Sequence, residues 1–421
     1  MIRPRNLLVP ILSFGVAAVV YFLLQTEYRD KLGGLASQWV GAESVRETSA
    51  VNKKPNSPKK KSGGGKAKPY SGELPSLAAV NIRNAVLETL TDELEYPWAM
   101  EFLPGEKLLI TEFRGAMKIL SLADGKIVEV SGLPEIPAGP GQVGLMDIAL
   151  HPDFVATGLI YFSHAVTAEG GEEGFAMAVS RASLRGNHLQ NVTRIFVATP
   201  YGKSASNFGG ALAFDRDGLL YIATGDRSER DHSQDRQSLR GKILRLTDAG
   251  AVPLDNPFVG HEDTADQIFA LGVRNPQGLV FDEFSGDLYQ TEHGPMGGDE
   301  VNYVTSGKNY GWPRITHGAN YMTQKIGVGN AEAGLEQPLY YYLPSMAISP
   351  LEIYHGPMFP EWEGNLLVGM LKGSQISKLD LLDGAVISEQ RILAEIGDRV
   401  RDLKVADDGS LYILVQKGRL Y

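Results

Sequence analysis

The chain has 421 residues, no cysteine, 48 glycines and a formal net charge of −10 at pH 7. The lack of cysteine excludes a disulfide framework and a thiolate metal site, and glycine above the roughly 7% of average usage favours many short strands and turns over long helices. The charge is uneven: residues 1 to 75 carry 12 Lys and Arg against 5 Asp and Glu, net +7, which leaves −17 on residues 76 to 421, and an acidic globular part argues against a nucleic-acid partner.

The first element, in residues 1–25, is an uncharged run of 18 residues, Leu7 to Leu24. As a helix at about 1.5 Å per residue it reaches roughly 27 Å, close to the hydrocarbon thickness of a bilayer. Arg3 and Arg5 precede it, so the positive-inside rule leaves the N-terminus in the cytoplasm and the rest of the chain outside. The reading is a single-pass membrane anchor. A cleaved signal peptide is the competing reading, with "GLAS" at 34–37 as its cleavage candidate, separated from the apolar run by Glu27, Arg29, Asp30 and Lys31. Residues 26–75 follow as a linker, and within them "NKKPNSPKKKSGGGKAKPYSG" has almost no aliphatic side chain with which to offset ordering entropy.

From Leu94 a pattern recurs: an apolar alternating run, an Asp/Gly turn and a second apolar run. It appears at 97–112 and again from positions 146, 210, 278, 351 and 401. Period-two alternation across a tight turn predicts a β-hairpin. Spacings of roughly 50 to 75 residues leave room for about four strands per repeat, the content of a propeller blade. Residues 76–421 are therefore expected to form an all-β, six-bladed β-propeller. Chemistry in such a ring belongs to the loops around the central channel.

Those loops carry unusual chemistry. "GDRSERDHSQD" (225–235) follows the third hairpin, "GVRNPQG" (272–278) precedes the fourth, and "TEHGPMGGDE" (291–300) closes it. Glycines and prolines beside carboxylates let backbone carbonyls turn toward one point, and hard oxygens suit Ca²⁺. No spacing matches an EF-hand or a HExxH zinc motif, so the residues alone leave the metal open. Arg274, Lys372, Arg399 and Arg401 lie at strand ends of different repeats, a candidate cation cluster for a ligand with several carboxylates.

Five segments, "GQVGLMDIALHPDF" (141–154), "GVRNPQGL" (272–279), "EHGPMGGDEVNYVTSGKNYGWP" (292–313), "EQPLYYYLPSMAISP" (336–350) and "RVRDLKVADDG" (399–409), occur in this order. Together they resemble the signature of the pyrroloquinoline quinone (PQQ) dependent aldose sugar dehydrogenases, the glucose/sorbosone dehydrogenase family of the bacterial periplasm. The resemblance covers about residues 94–416. It implies a quinoprotein that oxidises aldose sugars or related alcohols by hydride transfer to PQQ held over Ca²⁺. It also implies a propeller in the periplasm or outside the cell, anchored in the inner membrane, that passes electrons to a respiratory acceptor.

Carried over by motif, the resemblance makes Gly294 and Pro295 carbonyl ligands of Ca²⁺, with Asp299 and Glu300 as an associated acidic pair. Arg274, Asn275, Lys372, Arg399 and Arg401 become PQQ contacts, and Gln142 and Asp226 further pocket positions. The family's histidine base precedes "FGGRL", whereas this chain reads "SASNFGGALAF", so Asn207 stands at the base position and Ala211 where an arginine follows. Leu343 takes the place of a tryptophan of the glucose-specific branch, while Tyr340 and Ser345 are compatible. His232 is the substitute base to consider, His293 a support of the calcium loop and His151 part of a structural turn. The alternative reading is a noncatalytic propeller that binds carbohydrate or a protein on the same face.

Overall fold

The computed structural model describes residues 2–4, 85–168, 173–319 and 325–421. The expected anchor at 7–24 and the lysine-rich linker lie outside them. Among the described residues no helix is long and apolar enough to cross a membrane.

The fold is an all-β propeller. The described strands form six four-stranded antiparallel sheets. Five sheets take four strands consecutive in sequence; the sixth joins Val400–Val405 and Leu411–Val415 to the short strands Ile2–Pro4 and Ala85–Leu87. Each hairpin read from the sequence is an antiparallel pair that opens a sheet, or in the last case completes one. The first strands of these hairpins, Pro97–Leu103, Leu145–Leu150, Gly209–Phe214, Pro276–Phe281, Ile348–Ile353 and Val400–Val405, pack one beside the next, and the last packs beside the first.

Every sheet is covered on both faces by its neighbours, so the second strand of each hairpin is buried along nearly its whole length instead of on alternate residues. Leu108, Leu109 and Ile110 are all fully buried. The turns are fixed by their aspartates: Asp215 Oδ1 accepts the N–H groups of Asp217 (3.0 Å) and Leu219 (2.9 Å), and Gly218 at φ +77° completes the turn.

Polar side chains tie sheet to sheet. Thr111 Oγ1 donates to Met146 O (2.7 Å), Ser163 Oγ to Gly210 O (2.6 Å) and Thr291 Oγ1 to Ser349 O (2.7 Å). Asp147 Oδ2 accepts Leu212 N–H (2.8 Å), and Asp402 Oδ2 accepts Met100 N–H (2.7 Å), which joins the last sheet to the first.

The inner strands also line a narrow axial cavity that holds Asp147, Asp402 and Lys404. Lys404 pairs with Glu101, and the charges of Asp402 and Glu352 also bear on it. Burial raises Asp147 to about 6, Asp402 well above its ordinary range and Glu352 to about 7, although Lys404 opposes each shift. A carboxyl raised from 4.5 to about 7 keeps its proton in the native state after the unfolded chain has lost it. The stability it contributes is thus present below about pH 4 and lost as pH rises through 7. Glu352→Gln is expected to gain stability relative to the wild type between pH 5 and pH 8, by on the order of 1–3 kcal/mol in urea unfolding. A difference that does not change with pH would refute this.

Candidate active site

The candidate site lies at the strand ends after the third and fourth hairpins. Asn207 precedes the strand Gly209–Phe214 in a left-handed conformation, φ +55°, and is buried. Gly225 faces it from the end of the next strand; a Cβ there would lie 2.1 Å from Asn207 O, so only glycine fits. This close approach places Asn207 Nδ2 2.9 Å from Asp226 Oδ1, to which it donates. Asp226 is held independently of Asn207: Ser228 N–H donates to Oδ1 (2.7 Å), Trp312 Nε1–H donates to Oδ2 (2.8 Å), and its own N–H donates to Arg274 O (2.8 Å). The structure brings Asn207 into direct contact with Asp226. The amide at 207 accepts hydrogen bonds but not a proton at neutral pH.

Three expected cations converge. Arg274 sits with its Cζ 5.4 Å from the Trp312 ring. Arg401 is buried, with its Cζ 4.3 Å over the Trp98 ring and NH2 donating to Gln416 Oε1 (2.6 Å), while its Nε has no partner. Burial, and then the charge of Arg399, lower Arg401 to about 10. His293 reports the convergence: burial, followed by the charges of Arg274, Arg401 and Arg399, lowers it to about 3, so its imidazole is neutral. Its Nε2 is buried without a partner. Arg399 and Lys372 are exposed, and the Lys372 N–H donates to Met346 O (3.0 Å). Asn275 Oδ1 accepts Gly209 N–H (3.1 Å), and its Nδ2 lies 3.5 Å from His293 Nδ1. Gln142 Oε1 accepts Phe208 N–H (2.8 Å), which fixes the chain beside Asn207.

The glycine-rich loop turns its carbonyls inward. A Cβ on Gly294 would lie 2.2 Å from Gly297 O, so the loop folds on itself only with glycine there. Arg274 NH1 donates to His293 O (2.8 Å) and to Gly294 O (3.0 Å). Asp299, expected to be associated with calcium, is engaged in hydrogen bonds in this structure. Its carboxylate accepts Gly294 N–H (2.9 Å), Ser345 Oγ–H (2.8 Å), Met346 N–H (2.9 Å) and Ala347 N–H (2.7 Å), so its lone pairs are spent on joining two loops. Burial still raises its pKa.

Glu300 pairs across the ladder with Glu292, and Asn302 Nδ2 bridges them at 3.4 and 3.3 Å. Burial raises both, Glu292 to about 7 and Glu300 well above its usual range, with the charge of Glu292 adding to the shift of Glu300. Among the described residues no three His, Asp or Glu side chains group as a metal site.

His232 Nε2 lies 3.5 Å from Glu229 in its own turn, and burial lowers the pKa of the ring. Tyr340 is buried in the sheet and its hydroxyl donates to Glu389 (2.9 Å), so it is no platform for a ligand. Leu343 is 65% exposed above Gly297, where the rim is apolar. His151 caps the turn expected of it, its Nδ1 accepting Asp153 N–H (3.0 Å). The residues that went unnoticed are Trp312 and Trp98. "YGWP" and "YPWAM" each place a tryptophan beside proline, a signal that marks a fixed turn without telling what the ring covers.

Residues 94–421 match the family model described as Glucose / Sorbosone dehydrogenase. An aldose sugar dehydrogenase of Escherichia coli is 38% identical over 343 residues, covering 81% of this chain and 91% of its own. The crystal structure of the soluble aldose sugar dehydrogenase from Escherichia coli in the apo form superposes with a TM-score of 0.75 at 38% identity, over 79% of this chain and 96% of that one. The PQQ-bound form of an aldose sugar dehydrogenase from Streptomyces coelicolor gives 0.67 at 26% identity, over 80% of this chain and 96% of its own.

Proposed function

Because the chain belongs to the glucose/sorbosone dehydrogenase family, we propose that it is a six-bladed PQQ- and Ca²⁺-dependent dehydrogenase of aldose sugars or related alcohols. The observation that carries this is the convergence of Arg274, Arg399 and Arg401 on one neutral imidazole beside an inward-facing carbonyl loop. A buried Arg401, a half-buried Arg274 and an exposed Arg399, none of them in an ion pair among the described residues, fit a small polyanion such as PQQ. The orphan His293 Nε2 and Arg401 Nε are further donors to it. The relative from Streptomyces coelicolor solved with PQQ supports the same choice.

For calcium, the fitting donors are the Gly294 and Pro295 carbonyls and, on the adjoining ladder, Glu300. When bound, PQQ supplies the quinone that takes up hydride, and calcium polarises it. The residues of this chain do the rest. Arg274, Arg399, Arg401 and Lys372 bind and orient the carboxylates, and the Trp98 and Trp312 rings keep water from the arginine stems. Asp226 holds residue 207 against the substrate hydroxyl. Asn207 orients that hydroxyl through its amide but takes no proton from it, so turnover is slow.

We place the propeller outside the cytoplasm, with a respiratory quinone or cytochrome as electron acceptor; Ile2–Pro4, which pair with Ala85–Leu87 in the last sheet, lie with it rather than across a membrane from it. The second reading, a noncatalytic propeller that recognises carbohydrate or a protein, is favoured by Asn207 and Ala211. The test is calorimetric titration of PQQ into the full chain, with calcium and with chelator. Arg401→Met is expected to weaken binding by about tenfold or more while leaving the urea midpoint within a few tenths of a molar. No binding under either condition refutes the dehydrogenase reading.

A further inference from the structure

One arginine takes up a carbonyl of the loop proposed to hold the metal. Arg274 NH1 donates to His293 O at 2.8 Å and Gly294 O at 3.0 Å, and the second of these carbonyls is a proposed calcium ligand. A calcium ion takes its oxygens at about 2.3–2.6 Å. Both cations on Gly294 O would therefore stand a few ångström apart in a half-buried pocket, where their repulsion is poorly screened.

The arginine backbone is pinned: its N–H donates to Glu292, and its carbonyl accepts Asp226 N–H at 2.8 Å. Only the side chain is free to give way. Among the described residues no carboxylate lies at ion-pair distance from the guanidinium; Glu292, which accepts the Arg274 N–H, feels its charge, while the guanidinium itself donates to two neutral carbonyls and faces the Trp312 ring. Neutral acceptors hold a guanidinium less firmly than a carboxylate does, so an anionic ligand in the pocket draws it away.

Resting on the cofactor reading above, we infer that Arg274 is a displaceable cationic plug: it closes the His293 and Gly294 carbonyls to calcium until an anionic quinone pulls its guanidinium aside. Calcium alone then binds weakly, and the quinone and the metal strengthen each other by the same factor. The arginine that later contacts the cofactor thus also orders the loading, so that the site does not fill with metal first.

The experiment is calorimetric titration of calcium into the full chain and into Arg274→Met, each without and with saturating PQQ. The variant is expected to bind calcium alone about tenfold or more tightly than the wild type, and to gain correspondingly less from PQQ. Equal calcium affinities in the two proteins without PQQ, with PQQ still binding, overturn the plug and leave the cofactor reading standing. No calcium binding by either protein, even with PQQ, overturns both. Arg274→Gln, also neutral and polar enough to stay hydrated, carries the same comparison if the methionine variant does not fold.

Discussion

Asn207→His is expected to raise sugar oxidation by the PQQ- and calcium-loaded protein by about 10²- to 10⁴-fold, the range a positioned general base supplies. The reason lies in the partner already in place. Asn207 Nδ2 donates to Asp226 Oδ1 at 2.9 Å, and an imidazole at this position can present Nδ1–H to the same oxygen, leaving Nε2 to accept the substrate proton. Asp226 does not depend on residue 207 for its orientation, because Ser228 and Trp312 also hold it, at 2.7 and 2.8 Å. Nor does the backbone object: φ is +55° at Asn207, a region where histidine, like asparagine, is enriched over other residues. The check is dye-linked oxidation of glucose across pH 5 to 9. A gain that fades below a pH near 6.5, the ordinary imidazole value, identifies the new base. No gain at any pH would show that the pocket has left oxidation behind, and would favour recognition over catalysis.

The hairpins were legible because alternation, an Asp turn and a second apolar run are local signals, each written within about 20 residues. The sheet that joins the two ends of the chain was not. Its strands Ile2–Pro4 and Ala85–Leu87 have three residues each, too few to show a period. At the site, Arg274, Arg399 and Arg401 were legible as cations at repeated strand ends. What each one touches was not, since contact of the Arg274 guanidinium with carbonyls or with carboxylate depends on a loop that folds back through Gly297 and Gly298.

Asp299 shows the limit most sharply. An aspartate in a glycine-rich loop is an equally good metal ligand or loop staple on paper, and only its partners from 46 to 48 residues away decide between them. Trp312 likewise reveals its role only through Asp226, 86 residues distant.

Asp299→Ala is expected to destabilise the protein by about 3–5 kcal/mol and to abolish tight PQQ binding. Asp299 is fully buried and serves as the sole side chain that accepts from Gly294 N–H, Met346 N–H and Ala347 N–H together. Alanine leaves the Gly294 and Met346 N–H groups and the Ser345 hydroxyl without that carboxylate and Ala347 N–H with only the Ser345 Oγ at 3.2 Å, and each buried donor left unpaired costs roughly 1–3 kcal/mol. Ala347 is held at φ +50°, a strained value for a residue with a Cβ, so its segment has reason to relax once released.

The loop that turns the Gly294 carbonyl inward and the 343–347 segment, whose Met346 carbonyl holds the Lys372 backbone, then lose their common anchor. Cofactor affinity falls because the donors no longer share one geometry, although none of the arginines has changed. Urea unfolding and PQQ calorimetry on the same preparations separate this from a ligand role. A staple loses its stability contribution equally with calcium and with chelator. If Asp299→Ala instead matched the wild type in chelator and fell behind only when calcium was present, the carboxylate would be a metal ligand and the hydrogen-bonded arrangement a secondary state of the loop.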